Sequence, residues 1–347
     1  MLARALPRAL NRALPPARAA STAAAHKPSR RILVTGATGQ IGAELVPLLR
    51  ARLAGTRDAL VLATDLRPAP GAADYAALDV TDAAALNALV AKHEVDTIVH
   101  LASLLSVTGE QQPALAMRVN RGGAENVLEI AAARGLRVFA PSTIAAFGPS
   151  TPRDATPDVT VMRPTTIYGV TKVYLELLGE YYTQKFGVDF RSVRYPGIIS
   201  HRALPGGGTT DYAVNIFYDA LRTGAYSCFL GAHSALPMMY MPDALAAAVG
   251  VLDAPAAALT QRTYNVTGCT FTPAELGAAL SREMVAAGRA PLRLTYAPDF
   301  RQGIADSWPR SLNDDAARRD WGWRPEFDCA SMTKDMFREL SKRIKME

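Results

Sequence analysis

The feature that most narrows what this chain can become lies near its start. A short apolar run, Arg31-Ile32-Leu33-Val34-Thr35, ends in Gly36-Ala37-Thr38-Gly39-Gln40-Ile41-Gly42, and apolar residues then recur at helical spacing from Ile41 to Leu53. That order reads as strand, tight turn and helix. Glycine is needed where backbone N–H groups and a helix N-terminus approach a pyrophosphate, because a Cβ would stand in the way. The G-x-x-G-x-x-G spacing differs from G-x-G-x-x-G, so the weight of the reading comes from its setting. A second apolar strand, Ala59 to Thr64, ends at Asp65, 23 residues beyond Gly42. A carboxylate there accepts from both ribose hydroxyls and repels a 2′-phosphate, which points to NAD rather than NADP. Arg67 is the nearby cation that would serve a 2′-phosphate instead.

The alternation continues. A helical stretch Ala83 to Lys92 precedes a third strand, Thr97 to Ala102; a helix from Glu125 to Ala133 leads to the strand Arg137 to Ala140; a helix from Tyr168 to Phe186 leads to the strand Asp189 to Arg194. Strands alternating with helices of this length imply right-handed crossovers and an α/β fold, a Rossmann-like, doubly wound parallel sheet. Past Ser200 the texture changes. Pro205-Gly206-Gly207-Gly208 is a break, followed by separate helices (Tyr212 to Leu221, Ala244 to Leu252, Pro273 to Ala287) and short pieces such as Tyr264-Asn265-Val266. We therefore expect an NAD-binding domain over 30–200 and, over 201–347, mainly a smaller substrate lobe with segments that return to the first domain. The glycine break is expected to let Thr209-Thr210 close on a substrate.

Charge excludes one class of partner. The net charge is +6, and residues 1 to 30 hold six basic residues (Arg4, Arg8, Arg12, Arg18, Lys27, Arg30) and no acid, so the remainder is neutral and offers no footprint for nucleic acid. In residues 1–29 Arg4, Arg8 and Arg12 share a helical face opposite Leu2, Leu6, Leu10 and Leu14, the pattern of a transit peptide directing a protein to the mitochondrial matrix. No apolar run is long enough for a membrane span. Cys228, Cys269 and Cys329 form no C-x-x-C pair, so neither a disulfide framework nor a metal site is expected.

The chemistry-bearing pair is Tyr168 and Lys172, one turn apart on a helix face. A free tyrosine titrates near about 10 and is a poor base at neutral pH. Lys172 and the charge of an oxidised nicotinamide are expected to lower that value, so that the phenolate takes the proton of a substrate hydroxyl as hydride leaves. A hydroxyl from Ser142 or Thr143, just after a strand, would hold the substrate oxygen.

With these residues in place, the chain resembles the extended short-chain dehydrogenase/reductase family over nearly all of residues 30 to 340. The likeness rests on the glycine loop, Asp79-Val80, His100-Leu101-Ala102-Ser103, Asn120 and Tyr168-x-x-x-Lys172. It implies NAD contacts from Gly36, Thr38, Gly39, Gln40, Ile41, Gly42, Asp65, Asp79 and Val80, and from Leu101, Ala102, Ser103, Asn120, Tyr168, Lys172 and Tyr195. A narrower resemblance, to the short-chain type of L-threonine 3-dehydrogenase, rests on Pro141 to Pro149, Gly208 to Ala213, Leu236 to Ala244, Pro298 to Gln302 and Ala305 to Ser311. It implies oxidation of the threonine 3-hydroxyl to 2-amino-3-oxobutanoate, a mitochondrial lyase acting on the product, and a homodimer formed through the helices of Tyr168 and Glu125.

By the same likeness Ser106, Tyr168, Thr210 and Trp308 line the threonine pocket. In related sugar-nucleotide enzymes the catalytic hydroxyl stands four positions before the aromatic of this loop, which is Thr143 counted from Phe147; Thr143 is favoured and Ser142 retained. From the residues themselves, Thr209-Thr210 could take the carboxylate and Trp308 could wall the methyl group. Two other readings remain open. One is an epimerase or dehydratase of nucleotide sugars, against which Arg282, Arg293, Arg301 and Arg310 are too dispersed to form a pyrophosphate clamp. The other is a non-catalytic dinucleotide-binding subunit, against which both Tyr168 and Lys172 are present.

Overall fold

The structure is a computed structural model that describes residues 31–67, 74–203 and 208–344. The expected leader, 1–29, lies outside the described residues, as do Gly206 and Gly207 of the expected hinge.

The first half runs β1 (Arg31–Thr35), α1 (Gly42–Leu53), β2 (Leu60–Asp65), β3 (Tyr75–Ala77), α2 (Ala83–Lys92), β4 (Thr97–His100), α3 (Ser106–Gln111), α4 (Pro113–Ala116) and α5 (Gly122–Arg134). It continues with β5 (Arg137–Phe139), β6 (Ser142–Thr143), α6 (Ile167–Phe186), β7 (Asp189–Tyr195) and β8 (Gly197–Ile199). The second half comprises α7 (Tyr212–Thr223), β9 (Ala225–Cys228), β10 (Leu236–Tyr240), α8 (Met241–Asp253), β11 (Thr263–Asn265) and β12 (Cys269–Phe271). Then follow α9 (Pro273–Ala286), β13 (Arg293–Tyr296), α10 (Phe300–Asp306), α11 (Asp315–Trp321) and α12 (Cys329–Ile344).

The main sheet has the order β11-β7-β5-β4-β1-β2-β3, with β6 also pairing β7, and its ladders are parallel. Its strands are short and apolar because both faces are covered. Leu33, Ile98, Val138 and Phe190 face α2, α5 and α6. Ile32, Val34, Val99 and Val193 face α1 and α8. The strand order reverses between β1 and β4, and the crevice beyond their carboxyl ends is where an open α/β sheet accepts a ligand. A third apolar cluster joins α7, α9 and α12 around Phe217, Leu276, Leu280 and Met336. It accompanies two small sheets, β12-β10-β8 and β13-β9.

Some elements differ from the sequence reading. β4 stops at His100 instead of Ala102, since Leu101 N turns to Thr35 O (3.1 Å) and Ala102 N to Thr35 Oγ1 (3.3 Å). The helix expected from Glu125 begins at Gly122, entered through a π-helical turn, Met117–Arg121. Tyr264, expected in the smaller lobe, lies in β11, which completes the main sheet beside β7 with Tyr264 opposite Val193. The cause is a partner some seventy residues away, which no local pattern encodes.

The helix that matters most for the site is α6. Thr166 caps its start by accepting from Gly169 N (3.1 Å), and Gly187, at φ +72°, ends it. Midway, Gly179 lets the helix settle on β7: a Cβ there would stand 2.3 Å from the Phe190 ring, which is fully buried. Gly179→Ala should therefore cost about 1–3 kcal/mol in denaturant unfolding despite alanine's better helix propensity. Gly122→Ala, with nothing within 4 Å of its Cβ, should be neutral or stabilising. Equal effects of the two substitutions would show that α6 does not depend on this close approach.

Candidate active site

Beyond the carboxyl ends of β1 and β4 opens a cleft of about 660 Å³, a size suited to a cofactor with a small substrate. Its floor is the glycine loop. Gly36 sits at φ +66°, where a Cβ would be 2.7 Å from Ala102 N, and a Cβ on Gly42 would be 2.3 Å from Gly36 O. The loop is thus folded tightly on itself and on the end of β4. Gly39 and Thr38, Gln40 and Ile41 line the cleft. Ile41, at the N-cap position of α1, offers no side-chain acceptor, so no side chain caps the end of the helix at the cleft. An uncapped helix end beside a glycine turn suits a pyrophosphate, and the loop therefore fits the dinucleotide.

The other expected cofactor residues divide. Leu101, Ser103, Lys172, Tyr168 and Tyr195 line the cleft, although the Tyr195 hydroxyl donates to Ala244 O (2.6 Å). Asp65, Asp79, Val80, Ala102 and Asn120 are not among its lining residues. Asp65 Oδ2 accepts from Thr38 N (3.0 Å) and Thr38 Oγ1 (2.6 Å), which fastens the end of β2 to the glycine loop. Asp79 accepts from Thr81, while Val80 packs on Gly123 and its carbonyl accepts from Asn126 Nδ2 (2.9 Å). Asn120 is buried and holds both N–H and C=O of Leu104 (2.8 and 3.0 Å), bracing the wall that carries Ser103.

One face of α6 carries Tyr168, Lys172 and Glu176, facing three consecutive residues at the end of the β5–β6 line. Lys172 Nζ donates to Pro141 O (2.8 Å), Ser142 Oγ donates to Glu176, and the Tyr168 hydroxyl lies near the side chain of Thr143. The two candidate hydroxyls are therefore unequal: Ser142 is bound to a carboxylate, and Thr143 meets the phenol. Burial pushes the Tyr168 hydroxyl up to about 12, with the nearby Thr143 side chain acting in the opposite sense. Thus the lowered value expected from Lys172 is not a property of the protein alone. Lys172, 8% exposed, is drawn down to about 8 by burial, and Glu176 opposes that fall. His100 is held neutral, down to about 3, by burial and by the Lys172 charge, and its Nδ1 pairs with Thr35 Oγ1 (2.9 Å).

At the opposite end Ser106, Thr209, Thr210 and Trp308 line the same cleft as Tyr168 and Thr143. Thr209 Oγ1 is buried with no hydrogen-bond partner among the described residues, a polar group left for a ligand. Trp308 is 6% exposed and belongs to the apolar cluster of α7, α9 and α12. Of the dispersed arginines, Arg301 stacks on Phe229 and pairs with Asp299, and Arg310 pairs with Asp154. The arginine that does line the cleft, Arg202, was not singled out from the sequence, nor was Glu176. Glu176 had a readable signal: Tyr168, Lys172 and Glu176 repeat every four residues.

Comparison with known proteins agrees with this geometry. Residues 32–267 match the model of the NAD dependent epimerase/dehydratase family. The crystal structure of L-threonine dehydrogenase from Phytophthora infestans superposes with a TM-score of 0.86 at 56% identity, covering 90% of this chain and 99% of that one. The mitochondrial L-threonine 3-dehydrogenase of Sus scrofa is 47% identical over 88% of this chain and 81% of its own length. An uncharacterized epimerase/dehydratase of Staphylococcus saprophyticus is 45% identical over 92% of this chain and 99% of its own. A sheet that reverses at the glycine loop, a tyrosine–lysine pair across the cleft and these likenesses place the chain in the NAD-dependent epimerase/dehydratase family.

Proposed function

We propose that the chain oxidises the 3-hydroxyl of L-threonine to 2-amino-3-oxobutanoate, with NAD as acceptor. The observation that carries this reading is the meeting of Tyr168 and Thr143 in the cleft shared by the glycine loop and Thr209-Thr210. The names of the Phytophthora infestans and Sus scrofa relatives support threonine as the alcohol.

Gly36 to Gly42, with Leu101, Ser103 and Lys172, would hold the cofactor, and Asp65 fastens that loop. When bound, NAD supplies the hydride acceptor and, in its oxidised form, a positive charge in the cleft. Thr143 orients the substrate hydroxyl toward Tyr168, and Tyr168 takes its proton. Lys172, anchored on Pro141 O, is the cation that favours the phenolate. Ser106, Thr209 and Thr210 offer hydroxyls to the zwitterion, and Trp308 walls the methyl group.

Against a nucleotide-sugar substrate stand Arg301 and Arg310, each already paired with a neighbouring carboxylate. We place the protein in the mitochondrial matrix, upstream of a lyase that consumes its product; the arginine-rich leader and the mitochondrial mammalian relatives support this. Relatives from Staphylococcus show that the family also occurs in bacteria. A homodimer formed through α6 and α5 fits the exposure of Val170, Leu177 and Tyr181 along one stripe of α6 (45, 56 and 46%). Tyr182 is spent in the protein's own core.

The purified enzyme should form NADH with L-threonine and not with UDP-glucose or UDP-galactose; the reverse pattern overturns the reading. Tyr168→Phe should lower turnover by about three orders of magnitude and Thr143→Ala by about two, with NAD affinity changed less than about threefold. Undiminished turnover in Tyr168→Phe rules out the phenol as base. Leu177→Glu should convert a dimer to a monomer in sedimentation, and an unchanged sedimentation coefficient removes the stripe from the interface.

A further inference from the structure

Glu176 is 1% exposed, a carboxylate deep beneath the cleft and not among its lining residues. It receives the Ser142 hydroxyl on one side and the guanidinium of Arg194 on the other, through Nε (3.0 and 3.2 Å) and Nη2 (2.7 Å). Arg194 stands opposite Ser142 in the β6–β7 ladder. Its remaining contacts are Asp158, through the carbonyl (2.8 Å) and the carboxylate (4.0 Å), Asn265 Oδ1 (3.1 Å) and the Phe147 ring (5.2 Å to the centroid). One buried carboxylate therefore ties together α6, which bears Tyr168 and Lys172, and the strand end that bears Thr143 and Pro141.

We propose that Glu176 is a positioning residue for the Tyr168–Lys172 pair: it keeps Lys172 a cation at working pH and fastens the Ser142–Thr143 strand end to α6. This rests on the proposed role of Tyr168 as base. The groups facing Lys172 are Tyr168 and Glu176 on its own helix, the neutral His100 at the end of β4, the Pro141 carbonyl, and Arg194 on β7 beyond Glu176. Among them Glu176 is the anion. Burial pulls Lys172 toward its neutral form, and the Glu176 charge is what opposes it. Without that charge Lys172 loses its proton at lower pH, the phenolate loses its counter-charge, and Tyr168 ionises only at higher pH. The acid limb of kcat/KM therefore moves upward.

The test compares pH profiles of wild type, Glu176→Gln and Tyr168→Phe, together with the NMR titration of Lys172 in cofactor-free, lysine-labelled protein. In Glu176→Gln the acid limb should rise by about one pH unit or more, roughly a tenfold loss of kcat/KM on the limb, and the Lys172 midpoint should fall by a similar amount. NAD affinity should stay within about threefold. Because Glu176→Gln removes the carboxylate that pairs closely with buried Arg194 and leaves only the Asp158 carboxylate at 4.0 Å, it could fail to fold. The double variant Glu176→Gln/Arg194→Gln removes the carboxylate and the guanidinium together, and a limb shift of the same upward sign, smaller because a cation is removed as well, is expected of it. A folded variant with the wild-type limb and Lys172 midpoint overturns the proposal and leaves Glu176 a structural ion pair. Undiminished turnover in Tyr168→Phe overturns instead the reading beneath it. In wild-type protein, a Lys172 midpoint below neutral pH likewise overturns it.

Discussion

A lysine with 8% of its surface exposed must be compensated, because taking an ammonium group out of water costs several kcal/mol. The active face of the molecule follows from how that is done for Lys172. Its proton-bearing nitrogen needs an acceptor, and Pro141 O supplies one only because β5 delivers the chain to the flank of α6. Its charge needs an anion, and Glu176 stands one turn further along. Glu176 in turn requires Arg194, which requires β7 beside β6. Apart from Glu176, which α6 itself supplies, each demand is met by residues of the parallel sheet or the turn at its edge, so the sheet and this face of α6 are one construction. Gly179 allows the approach, since any larger residue would hold α6 off the Phe190 ring.

The cleft has two halves of different origin. The glycine loop closes on itself through Gly36 and Gly42 and is pinned from β2 by Asp65, so its shape is set by backbone packing and a single carboxylate. The far half draws on residues distant in sequence: Ser106 at the head of α3, Thr209 and Thr210 before α7, and Trp308 after α10. Gln302 holds α10 by accepting from Gly231 N (2.7 Å) and by donating to Ser234 Oγ (3.0 Å), and Arg153 Nε donates to Trp308 O (3.0 Å). The tryptophan is thus fixed from two sides, which suits a wall of a pocket.

Local periodicity made much of the first half legible: Arg31 to Thr35, Asp65 at a strand end, and the helix bearing Tyr168 all lie where spacing puts them. What could not be read locally depended on partners far along the chain. Tyr264 joins the main sheet through Val193, and Ser142 and Thr143, adjacent and chemically alike, are separated in role by Glu176 and Tyr168. Glu176 itself was visible as a four-residue repeat, but a carboxylate at that spacing is ordinarily a solvated helix residue; burial is what gives it meaning. Asn120 and Asp79, singled out with the cofactor, brace a wall and a turn in this chain.

In the proposed reaction the carbon oxidised is the one whose hydroxyl lies next to Tyr168 and Thr143. Turnover of L-threonine deuterated at C3 tests it directly, by mass spectrometry of the reduced nicotinamide. One deuterium is expected in each reduced cofactor, with a slower reaction than with unlabelled substrate. Reduced cofactor without deuterium would contradict it, because oxidation would then have taken place at another carbon.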